Sequence, residues 1–218
     1  MNRIKLIFLI LLFVFTIITT IDPIYPHEQF LQHAGTLLLA IPLVSDLVKN
    51  RMPNNVYVCL VIFTFLHVLG ARYIYSYVPY KEWCISWGIV DADFFQDPRN
   101  HYDRFVHFAF GFLLFPYFLY ICRKWIKQMP IVAIFMAWLI VQTGSMIYEL
   151  FEWVLTIVMT STDANNYNGQ QGDLWDAQKD MAWAMLGSTL MAAFYIIKKI
   201  EDNNESKRLF NAIPRFFR

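Results

Sequence analysis

Glu149 and Glu152 are the only charged residues in an apolar run that extends from Ile131 to Met159. A carboxylate inside a bilayer is expensive unless it is paired, protonated or wetted. Three residues apart on a helix, the two share one face. Other polar residues recur at helical spacing beside other apolar runs. Asp103 and His107 are four apart, and Asp173, Asp176 and Asp180 step by three and four. One imidazole with several carboxylates from different helices is a donor set for Zn, Mn or Fe. The expected metal ligands are Asp103, His107, Glu152, Asp176 and Asp180. Glu149, Glu152 and His107 are the expected catalytic groups, and Arg72 and Arg104 the expected grips for a substrate. A divalent metal held there would activate water against a lipid-linked or phosphate-bearing substrate. The Glu-x-x-His signature of carboxylate sites in helix bundles is absent.

These groups need long helices to position them. The chain has 218 residues, of which 57% are hydrophobic, and its mean hydropathy is +0.39. Apolar runs long enough to cross a bilayer recur along it. The first follows Arg3 and Lys5 and lacks a small-x-small cleavage site before Pro23, so it reads as an uncleaved span. A second covers Phe30 to Val48. A third runs from about Val56 to Val78 and is stopped by Pro79. A polar loop from Tyr80 to Asn100, with room for a short surface helix, leads to a fourth span ending at Cys122. Pro130 opens the fifth, and a polar turn from Ser161 to Gln171 precedes a sixth ending near Ile197. The fold expected is all-α: one six-helix membrane domain over residues 1–197, followed by a basic cytoplasmic tail over 198–218.

Charge orients the bundle. Thirteen of the 18 Lys and Arg fall on one side, in the two termini, around Lys49 and Arg51, and in Arg123 to Lys127. The positive-inside rule makes that side cytoplasmic. Of the 17 Asp and Glu, only Asp46, Glu201, Asp202 and Glu205 join it. On the third and fifth spans as drawn, Arg72 and Glu152 lie about 9 and 10 Å below the outer ends. Arg72 is therefore expected to pair with Glu149 or Glu152. Asp103, His107, Glu149, Glu152, Asp176 and Asp180 are expected to line one pocket open to the outer surface. Gly111 and Gly187 continue the faces of His107 and Asp180 and would let those helices approach closely.

Two function classes fit. One is a membrane-embedded enzyme acting on an envelope lipid or lipid-linked substrate. The other is a non-catalytic transporter or structural protein whose carboxylates are neutralised by Arg72, Arg104 and Lys179. Against transport, the cytoplasmic halves of the site-bearing spans offer only Gln142 and Thr143. His33 is within reach of the cluster but, as a lone histidine near an interface, reads first as packing, whereas His67 reads as a hydrogen-bonded core histidine. Asp91, Asp93 and Asp97 read as a solvated loop. Cys59, Cys84 and Cys122 make no zinc pattern or disulfide framework. No Walker or nucleophile-elbow motif is present, and nothing points to nucleic acid, so the partners expected are membrane lipids.

Taken together, Gly70 to Tyr73, Asn100 to Phe108, Glu149 with Glu152, and Gly172 to Asp180 resemble the YjdF-type bacterial inner-membrane proteins. The resemblance covers nearly the whole chain and implies a multi-span inner-membrane location without an assigned chemistry. A second resemblance, to VanZ-like membrane proteins, rests on Asp103, Arg104, His107 and Phe108, a glutamate in the next span, and Asp180 with Gly187. Ala184 stands where that pattern has Asn. It implies a link to the cell envelope or its lipids.

Overall fold

The computed structural model describes residues 2–160 and 167–212, with side chains as far as Glu201. Residues 161–166, in the expected turn after the fifth span, and 213–218, at the end of the expected tail, lie outside the described residues.

The helices are α1 (Arg3–Thr20), α2 (Pro26–Lys49), α3 (Asn54–Arg72), α4 (Tyr80–Ser86), α5 (Tyr102–Lys124), α6 (Pro130–Val158) and α7 (Asp176–Ala212). A single 3-10 turn, Ala92–Phe94, lies in the loop before α5. No strand occurs among the described residues. All but α4 contain a stretch long and apolar enough to cross a membrane, which for α7 is Asp176–Glu201. The six spans expected from hydropathy are therefore present. Pro26 and Pro130 open α2 and α6, where a missing backbone N–H costs nothing. Pro42 and Pro116 lie inside α2 and α5, which membrane helices tolerate because neighbours can satisfy the freed carbonyls.

Two boundaries differ most from the sequence reading. α7 continues past Ile197, so the start of the tail is an extension of the last helix. α3 ends at Arg72 and not near Val78. The backbone amides of Tyr73 and Tyr75 both donate to the Gly70 carbonyl, and Ile74 and Tyr75 adopt positive φ. The Tyr75 ring folds back over Gly70, where a Cβ would stand 2.6 Å from it. The chain thus turns at a glycine, well before the proline that was expected to stop it.

α5 is the central element, packed on α7 most extensively and also on α3 and α6. α6 and α7 pack on each other, while α1 and α2 lie against α3. Gly111 and Gly187 make the α5–α7 seam. A Cβ on Gly111 would collide with the Ala184 carbonyl, and one on Gly187 with the Phe108 carbonyl. This close approach was the role expected of both glycines. At the opposite end, Lys5 is buried and bonds Asp46 at 2.6 Å and the Met52 carbonyl at 2.5 Å. The other Asp46 oxygen accepts the backbone amides of Arg51 and Met52. The start of α1 is thereby tied to the turn between α2 and α3.

Candidate functional site

The first two turns of α5 supply Asp103 and His107. α6 adds Glu149 and α7 adds Asp180; all four are at least nine-tenths buried. One ligand atom each from Asp103, His107 and Asp180 lie within 4.8 Å of one another. His107 Nε2 is 3.7 Å from Asp103 Oδ1 and 3.4 Å from Glu149 Oε1. The close α5–α7 seam is what lets Asp180 reach His107. Neither Glu149 Oε1 nor Asp180 Oδ1 has a hydrogen-bond partner. Unpaired buried oxygens are uncommon and costly. Below them, toward the far end of α5, lies a cavity of about 360 Å³.

Above the cluster sits a clasp of ion pairs. Asp176 is gripped by Arg99, and Arg104 stands 3.3 Å from it. Arg104 also bonds Asp173 at 2.5 Å, which Lys179 holds at 2.6 Å. Lys179 foremost, then the Trp175 backbone amide and Arg104, hold the Asp173 carboxyl down at about 2. Asp176 and Arg104, expected as a metal ligand and a substrate grip, are thus engaged with each other across the mouth of the site. Glu152 is only half-buried and stands outside the Asp103–His107–Asp180 group. Its carbonyl accepts from Asn168 at 3.3 Å, and its carboxylate accepts from Tyr148.

Arg72 does not pair with Glu149 or Glu152. Its guanidinium donates to the carbonyls of Thr19 and Ile21 at 2.7 and 3.2 Å. With α3 ending at Arg72, the side chain lies at the helix end and reaches the C-terminus of α1. Carbonyls without helical partners, at the negative end of the helix dipole, receive the cation there. His33 contacts Thr36 and Gln29 on its own helix and takes no part in the cluster. His67 is the core histidine expected. Its Nε2 donates to the Gln32 carbonyl at 3.1 Å, so its Nδ1 accepts from the Tyr75 hydroxyl at 2.5 Å. Asp91, Asp93 and Asp97 are exposed. The three cysteines are free.

Sequence reasoning passed over Arg99, Ser145 and Tyr148. Ser145 is one turn from Glu149 on the same face, which was a usable signal; its buried hydroxyl has no partner. Tyr148 sets its ring edge-on to His107 at 5.8 Å. Arg99 lies just outside α5 and carried no periodicity to mark it.

The model of a family described as "Predicted membrane protein (DUF2238)" matches residues 4–200. The chain belongs to that family. The inner membrane protein YjdF of Escherichia coli (strain K12) is 30% identical over 136 residues. The match covers 60% of this chain and 61% of that relative, so it spans less than two thirds of the curated protein's length. No solved structure matches. The chain is a multi-pass protein of the bacterial inner membrane.

Proposed function

We propose that this protein is a membrane-embedded enzyme that acts near the outer face on an envelope lipid or lipid-linked substrate. Asp103, His107 and Asp180 hold a divalent cation, and Glu149 stands beside it as the proton-handling group. The observation that carries the reading is Asp180: a buried carboxylate whose Oδ1 has no hydrogen-bond partner, beside a histidine and a second acid. Carboxylates crowded in a low-dielectric site are costly unless paired, protonated or wetted, and a bound cation would relieve that cost. The nearby arginines cannot relieve it fully, because Arg99 and Arg104 are engaged with Asp176 and Asp173. Carboxylate and imidazole ligands hold zinc at about 2.0–2.2 Å in a tetrahedral set, so ligand atoms stand about 3.3–3.6 Å apart. The ligand atoms, within 4.8 Å of one another, close on the ion by moving inward. A cation there supplies Lewis acidity and an activated water, the chemistry of hydrolysis at a carbonyl or phosphoryl centre.

Elemental analysis of the purified protein tests this directly. The expected result is close to one transition or alkaline-earth metal per chain, lost in Asp180→Asn and in His107→Ala. A metal-free native protein would leave the structural reading. That reading already fits the clasp of Arg99, Arg104, Asp173, Asp176 and Lys179, whose charges largely balance.

A further inference from the structure

We propose that the cavity beneath this cluster receives one hydrocarbon chain of a bilayer lipid, entering sideways between α2 and α6. The inference rests on the reading of the Asp103–His107–Glu149–Asp180 cluster as the reacting site, and it names the substrate's tail. The space is graded. Its outer end carries Asp103, His107 and Tyr148, and its deeper part is walled by Leu39, Phe63 and Phe118. Asp103 and Phe118 are fifteen residues apart on one helix, about 22 Å along its axis. That exceeds half of a hydrocarbon core of roughly 30 Å. A volume of about 360 Å³ holds on the order of a dozen units of water size, each about 30 Å³. One alkyl chain fits those dimensions; a bulky polar solute does not fit those walls.

The opening faces the membrane. α2 packs on α3 and lightly on α1, whereas α6 packs on α5 and α7, so α2 and α6 flank the cavity without an extensive seam between them. Leu38 lines the cavity and is still 68% exposed, which places it at the rim, where the surrounding medium is lipid. A second feature points to a ligand inside. Ser145 is 2% exposed and is among the residues around this cavity, and its hydroxyl has no hydrogen-bond partner. It lies one turn below Glu149, where the first polar atoms above a chain, such as an ester carbonyl, would come to rest. Small residues frame the same wall. A Cβ on Gly144 would stand 3.0 Å from the Phe110 ring, and one on Gly35 would press on His67.

Photolabelling tests the proposal. The protein is placed in vesicles of phosphatidylethanolamine and phosphatidylglycerol doped with a phosphatidylethanolamine that carries a mid-chain diazirine, and labelled peptides are mapped. The expected adducts fall on Phe63, Phe110 and Phe118, and drop fivefold or more in Leu39→Trp, which fills the space from α2. Adducts confined to lipid-facing residues such as Phe30, Leu37 and Val158, or unchanged core labelling in Leu39→Trp, would overturn the proposal. The wild-type map decides the matter even if Leu39→Trp does not fold. Metal content separates the two readings. Leu39→Trp should keep its metal and lose the core adducts, whereas Asp180→Asn should lose metal and keep them. Core adducts in a protein that never binds metal would sustain the cavity and defeat the hydrolytic site.

Discussion

His107 and Glu149 face each other across α5 and α6, with Nε2 3.4 Å from Oε1. The glutamate oxygen has no hydrogen-bond donor, so proximity has not produced a well-formed bond. In the proposed site such a group would be held for use at a cost to the fold. Glu149→Gln should therefore raise the melting temperature of the metal-free protein while abolishing turnover. About 1 kcal/mol of relief corresponds to roughly 2–4 °C in a chain of this size. A melting temperature several degrees lower would show that the glutamate is a structural partner of His107.

Arg72 acts as a cap on α1. Charged hydrogen bonds contribute about 1.5–3 kcal/mol, so Arg72→Gln should lower stability by about that amount and loosen the end of α1. Proteolysis between Thr20 and Pro26 should quicken, and metal content should stay the same. Loss of metal in Arg72→Gln would place the guanidinium in the site after all.

The Lys5–Asp46 pair is nearly inaccessible to solvent. Removing one partner leaves a buried charge, which costs about 3–5 kcal/mol. Lys5→Ala should destabilise on that scale. Lys5→Met with Asp46→Asn should recover most of the loss, because the carboxamide oxygen introduced at position 46 would still accept the Arg51 and Met52 amides. A double variant no more stable than Lys5→Ala would contradict the pairing energy.

The clasp above the site should resist acid. Lys179, the Trp175 amide and Arg104 hold the Asp173 carboxyl near 2, below its ordinary 3.8. A depressed carboxyl contributes stability that is complete above its unfolded value and is lost as pH falls through its folded one. The stability gap between wild type and Asp173→Asn should stay flat from neutral pH to about 4 and close toward 2. A gap that closes between pH 7 and 5 would assign the effect to another group.

Both termini should be cytoplasmic. A reporter active only outside the inner membrane should be silent after Arg218 and active when inserted after Gln96, in the exposed loop before α5. The reverse pattern would move the site to the cytoplasmic face.

The six spans, the start of the fifth at Pro130 and the intimacy of Gly111 with Gly187 were legible because each depends on residues near in sequence. Hydrophobic length and helical period are local properties. Asp103 with His107 is a local fact of the same kind, since four residues on a helix share a face. Which acid completes that pair is not local. Glu149 and Glu152 are equally charged and three apart, and only the rotation of α6 against α5 buries the first among the cluster and leaves the second half-buried beside Tyr148. The partner of Arg72 depended on where α3 ends. A glycine carbonyl at 70 gathered two amides and closed the helix before Pro79, which moved the guanidinium from the bundle's interior to the end of α1. Arg99 took Asp176 from outside any helix, through a loop whose path no periodicity describes. Periodicity determines which residues share a face; only packing decides the direction each face takes and the charge it meets.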